Sequence, residues 1–140
     1  MNDNWQRILT EHEYYDGPVF GIAEFRGAPH VYERQWNPAL DEYGELFLLS
    51  PIEPDLLDLV MEDWEIWLRW DAAFKCGEAD EKSHPALPGE QGRHLEIQEL
   101  IGNRLESKRG GPIKQYAILK IVDREWRVMW TDSPSQASGA

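Results

Sequence analysis

FGIAEFRGAPHVYERQW, residues 20–36, decides how this chain folds. Two runs rich in β-branched and aromatic residues, FGIAEF (20–25) and PHVYERQW (29–36), flank Arg26-Gly27, and a short Gly-containing link between such runs signals a β-hairpin. Period-two alternation along the second run puts His30, Tyr32, Arg34 and Trp36 on one face, with Val31 and Glu33 on the other. Upstream, Tyr14-Tyr15-Asp16-Gly17-Pro18 reads as a turn, because Asp bonds locally, Gly permits positive φ and Pro fixes the exit. Before it, Arg7-Ile8-Leu9-Thr10 opens either a strand or a short helical turn. Downstream, the linker NPALDEYGE leads into ELFLLS (45–50), apolar enough for a central strand.

A second hairpin closes the chain. IKQYAILKIV (113–122) and EWRVMWT (125–131) meet at Asp123-Arg124, and Trp126, Val128 and Trp130 alternate inward against Arg127 and Met129. Between the two sheet regions lie two helical segments. The first runs from Pro54 to Cys76, with Pro at a tolerated first position and Gly77 as its stop. The second runs from about Gln91 to Ser107, with Ile97, Leu100, Ile101, Arg104 and Leu105 on one side. EADEKSHPALPGEQG (78–92) joins them as a polar surface loop. The order βββ-α-α-ββ predicts an α+β fold: one domain over residues 1–132, an antiparallel sheet of about five strands with two helices on one face, and a flexible tail over 133–140.

The first helix carries WEIWLRWDAAF (64–74), with three of the chain's seven tryptophans. Around Trp64 the helical projection gathers Leu57, Val60, Met61, Trp67 and Leu68, while Asp55, Asp58, Glu62, Glu65 and Arg69 collect opposite. The stripe is therefore read first as core. Asp71 interrupts it, and Asp63 projects between Trp67 and Trp70. A carboxylate taken out of water needs a cation or several donors. Either Arg34 or Arg127 pairs with Asp71 in a buried ion pair, or Asp71 lines a pocket walled by Trp67 and neighbouring aromatics, suited to a cationic or polar ligand. The candidate binding residues are Asp71, Trp67, Trp64, Asp63, Tyr15 and Asp16.

Of 140 residues, 26 are acidic and 14 basic, a net charge of −12. Residues 1–100 carry 22 acids against 7 bases, whereas residues 101–140 carry 4 against 7. Such a surface repels nucleic acid and anionic lipid and favours partners with a basic surface. No apolar run is long enough to cross a membrane, MNDNWQRILTEHE lacks the marks of a signal peptide, and a single cysteine, Cys76, suits a reducing cytoplasm. Chemistry is sparsely represented. His12, Glu13 and Asp16 have no metal-ligand spacing, and there is no nucleophile elbow. Gly110-Gly111 follows a helix where a phosphate cradle precedes one, which leaves Lys108, Arg109 and Lys114 as the candidate anion contact. No catalytic residue, metal or cofactor is expected.

Taken together, EYYDGP, GIAEFRGAPHVYE, LFLLSP and WEIWLRWDAAF resemble a group of short bacterial proteins sharing a Tyr-Tyr-Asp-Gly-Pro turn, a Gly-x-Ala-x-Phe-x-Gly-x-Pro hairpin and a Trp-rich helix. The likeness covers about residues 13–76. It implies a small bacterial cytoplasmic domain, and no activity travels with it. The functional expectation is a non-enzymatic protein–protein interaction module, immunity-like or regulatory. The alternative is a small-molecule binder or enzyme with its pocket at Asp71, Trp67 and Tyr15, and a third reading is a nucleic-acid mimic.

Overall fold

The computed structural model describes residues 4–134, so the tail expected over 133–140 falls, from residue 135 on, outside the described residues. Among the described residues are seven strands, β1 (Gln6–Arg7), β2 (Glu13–Tyr14), β3 (Pro18–Phe25), β4 (Ala28–Asn37), β5 (Glu42–Pro51), β6 (Ile113–Val122) and β7 (Glu125–Thr131), and two α-helices, α1 (Pro54–Lys75) and α2 (Gln91–Ile101). The α+β class holds. The antiparallel sheet, however, has seven strands where about five were expected, ordered β1-β7-β6-β5-β4-β3-β2 and curled into a half-barrel. The chain divides into two compact units, one reaching Ile52 and resuming at Glu106, the other spanning Glu53–Leu105.

The two extra strands belong to one short N-terminal segment that curls the sheet. Gln6 and Arg7 pair with Val128 and Arg127 of β7, and Ile8 bridges to Ala23 of β3. The N–H groups of Leu9 and Thr10 both donate to Ile22 O, at 2.7 and 3.1 Å, and Glu13 then pairs with Phe20. A single segment thus covers the outer edges of both β7 and β3, a common protection against stray strand pairing. Gly21 permits the crossing, since a Cβ there would lie 2.2 Å from Thr10 O. Thr10 is fully buried, and its hydroxyl accepts from Ile22 N–H at 2.9 Å while its carbonyl accepts from the Tyr32 hydroxyl at 2.9 Å. Burial, with Glu11 adding to it, pushes the pKa of that hydroxyl well up, so it stays a donor. Around these contacts Ile8, Phe25, Tyr32, Phe47, Leu49 and Val128 form the sheet's core, each large side chain contributing about 1.5–3 kcal/mol.

In the helical unit, Pro54 sits in the first turn of α1 and Asp55 faces the positive end of its dipole. The buried positions are Leu56, Val60, Ile66 and Trp70. This stripe is turned by roughly a quarter of a revolution from the Trp64-centred one, which brings Asp63 inside it. Helix α2 ends at Ile101 because Gly102 takes φ 53°, so Arg104 and Leu105, expected on its face, lie beyond it. Ile97 and Ile101 are its buried residues.

A polar ladder joins α1 to the returning arm in reverse order: Asp55 with Arg104 at 2.7 Å, Glu62 with Arg93 at 2.7 Å, and Arg69 with Glu90 at 2.6 Å. Hydrogen bonds from Arg104, Arg93 and Arg69 hold the carboxyls of Asp55, Glu62 and Glu90 below their ordinary values of 3.8, 4.5 and 4.5. A depressed carboxyl pKa stabilises the folded state fully above the ordinary value, and the contribution is lost as pH falls through the lowered one. The melting temperature followed by helical circular dichroism is therefore expected to begin falling below about pH 4.5. These pairs are exposed, so each effect is small and screened by salt. A melting temperature that does not fall between about pH 6 and about pH 2 would show that the ladder contributes nothing.

Candidate functional site

The Tyr14–Pro18 turn builds one end of the half-barrel. Asp16 at φ 53° and Gly17 at φ 128° form consecutive left-handed steps, and Tyr15 N–H donates to Gly17 O at 2.9 Å. A side chain at Gly17 is strained by that φ. The reversal leaves Tyr14 57% and Tyr15 68% exposed. Beside it, the Tyr15 ring lies 6.0 Å from Tyr43, and Trp36 meets Tyr43 edge-on at 5.0 Å, itself 47% exposed. Three rings from the turn, the end of β4 and the start of β5 thus form a continuous row.

Arg34 backs the row. Its Nε–H donates to Gly44 O at 2.8 Å, and its guanidinium lies 6.0 Å from the Tyr43 ring centre and 5.8 Å from that of Phe47. Burial pulls its pKa down, and Asp16, Glu42 and Tyr43 offset that. Next to Trp36 is a cleft of about 350 Å³ walled by Trp36, Tyr116, Leu46 and Pro134, with Glu45 and Asn37 in its lining. Its origin is a register shift. Between the pairs Arg34↔Phe47 and Trp36↔Tyr43, β4 supplies one residue and β5 supplies three. This end combines rings, a cleft and the acids Asp16, Asp41, Glu42 and Glu45, an arrangement suited to a cationic side chain on an aromatic face. A second cleft, of about 530 Å³, lies where Phe25, Trp130, Gln115 and Asp132 meet. Gln115 Nε2–H donates to Asp132 Oδ1 there at 2.8 Å.

The candidate residues separate. Tyr15 and Asp16 stand in the sheet unit, Asp63, Trp64, Trp67 and Asp71 in the helical unit. Asp71 pairs with Lys75, one turn on, at 2.8 Å. The two arginines considered for it are engaged within the sheet unit, Arg34 as above and Arg127 with Glu125 at 3.1 Å. Asp63 lies in the buried stripe and is met by His94 Nδ1 and Gln98 Nε2, both at 2.7 Å, one on each oxygen. Trp64 and Trp67 stack on each other at 4.9 Å, both half-buried. Arg109, read as an anion contact, holds Glu13, Glu33 and Glu106 and lies 3.8 Å over the Phe20 ring. Burial works against its charge, but hydrogen bonds to Glu13 and Glu33 raise its pKa. Lys108 is half-buried and Lys114 is exposed. An anion would have to displace three carboxylates from Arg109. His12 bonds to Thr10 Oγ1 at 3.0 Å, and among the described residues no three His, Cys, Asp or Glu side chains are placed to hold a metal ion.

No known protein family, characterised protein or solved structure matches the chain. No described helix is long and apolar enough to cross a membrane.

Trp36 and Tyr43 are the residues that reading the sequence missed. The available signal was a tryptophan placed directly before Asn37-Pro38, at the point where a strand must end.

Proposed function

We propose that this chain is a non-enzymatic interaction module that receives a basic segment of another protein at its aromatic end. The observation carrying the reading is the row Tyr15–Tyr43–Trp36, whose end rings are exposed and whose middle ring is half-buried, bordered by Asp16, Glu42 and Glu45. Interfaces concentrate their energy in a few aromatic anchors, and opposite charge around them speeds encounter. The net charge of −12 acts in the same direction over a longer range.

Affinity capture from lysate of the source organism tests this at about 50 mM and about 300 mM salt. One stoichiometric partner is expected at low salt, released at high salt and not captured by the Glu42→Lys, Glu45→Lys double variant. Equal capture by that variant would contradict the reading.

The cleft at Gln115 and Asp132 favours a second reading, a small-molecule site at the opposite mouth of the half-barrel. Phe25 and Trp130 provide apolar walls and Gln115 a buried amide at its base. Thermal-shift screening with Gln115→Leu as control distinguishes it, since a ligand of this cleft loses its shift in that variant.

A further inference from the structure

Strand β6 is longer than its pairing with β5. The two pair from Leu49↔Ile113 to Leu46↔Tyr116, and there β5 departs, at the register shift that opens the Trp36 cleft. From Ala117 to Val122, β6 pairs only with β7 among the described residues. The turn Asp123-Arg124, with φ of 52° and 68°, makes this a two-residue hairpin closed by Val122 and Glu125. In such a hairpin the closing residues exchange both hydrogen bonds, and alternation then directs the main-chain groups of Val122, Lys120 and Ile118 toward β7. Those of Leu119 and Ile121 point the other way, where no described strand meets them. The same stretch leaves Ile118 38%, Ile121 58% and Val122 37% exposed. A strand-forming, apolar, half-unpaired edge of this kind is a template for another strand.

We infer that an extended segment of the protein partner adds to this edge, pairing with Leu119 and Ile121 and placing alternate side chains along Ile118 and Val122. The inference rests on the proposed function, since it supplies the binding mode for the same partner. Charge on the β5 side selects the occupant, the edge's own cation, Lys120, lying over the Trp5 ring at 4.0 Å. The gap left by β5 is bordered on its far side by Glu42 and Glu45 with Tyr43, and the Trp36–Tyr116 cleft opens at its apex. The fitting partner is therefore a strand alternating apolar and basic residues, whose main chain provides affinity and whose cations meet the acids of β5.

The probe is a synthetic peptide of about eight residues alternating Val and Arg, with a Val-Glu peptide as control. The expected result is at least about tenfold slower amide exchange at Leu119 and Ile121 with the Val-Arg peptide alone. Leu119→Pro is expected to weaken binding about tenfold or more, because it removes an outward N–H without touching the β7 ladder. If Leu119→Pro fails to give a native near-ultraviolet spectrum, Ile121→Pro replaces it, and the exchange data on the unsubstituted chain stand by themselves. Perturbed Trp36 and Tyr43 resonances without protection at Leu119 and Ile121 would overturn strand addition and leave the aromatic end intact as the binding surface. Protection that appears without peptide, together with a concentration-dependent doubling of mass, would overturn it in favour of a second copy. No response at either place overturns it too, and partner capture then judges the aromatic end alone.

Discussion

Gly21→Ala is expected to destabilise the protein by roughly 3 kcal/mol, seen as a melting temperature lower by about 10 °C. The added methyl would sit 2.2 Å from Thr10 O and 2.8 Å from Thr10 C, both backbone atoms that no rotamer change can move aside. Relief requires lifting the N-terminal segment off β3. That breaks the Ile22–Thr10 and Tyr32–Thr10 hydrogen bonds inside a buried site, and each group left unsatisfied there costs about 1–3 kcal/mol. It also uncovers the edges of β3 and β7 together. Gly92→Ala is the matching control. Nothing lies within 4 Å of a Cβ at that helical position, so this change is expected to be neutral or to stabilise by up to about 1 kcal/mol. Equal melting temperatures for the two variants would mean that the 6–14 segment is not bound as described.

The second large effect falls on binding. Trp36→Ala removes the ring that both ends the aromatic row and walls the neighbouring cleft, and a truncated aromatic anchor of this kind costs about 2 kcal/mol or more. The dissociation constant for the captured partner is expected to rise about 30-fold. Stability changes little by comparison, because Trp36 is 47% exposed and lies outside the buried cluster. Tyr15→Ala shifts affinity in the same direction. Trp67→Ala, in the helical unit, leaves the constant unchanged.

Local signals located the long elements well. β6 and β7 match the expected runs at 113–122 and 125–131, because alternation and a two-residue turn define a hairpin without help from the rest of the chain. The short strands were only partly announced, since Arg7–Thr10 was open to a strand or a helical turn and Glu13–Tyr14 gave no strand signal. Gln6–Arg7 and Glu13–Tyr14 are strands only because β7 and β3 lie beside them, and a two-residue strand has no period of its own. Gly21 was the available clue, since a glycine inside a strand pattern marks a close backbone approach. The tryptophan helix was placed correctly along the chain and rotated wrongly about its axis. Leu57, Met61, Trp64 and Trp67 outweigh Ile66 in any apolar average, yet only Leu56, Val60, Ile66 and Trp70 are buried. That rotation accounts for both misplaced carboxylates, as Asp63 needs His94 and Gln98 while Asp71 needs only Lys75. At the site, the Tyr15-Asp16 turn was legible as a motif, but its neighbours Tyr43 and Trp36 depend on a β4–β5 register shift that sequence spacing does not encode.

Amide exchange across the whole chain, with and without the captured partner, tests the interaction surface most directly. Protection is predicted at residues 14–17, at Trp36 and Asn37, and over 42–46, together with Leu119 and Ile121 where the partner adds a strand. Protection confined to the Glu24–Gly27 turn and Gln115, with the aromatic end unchanged, would contradict it.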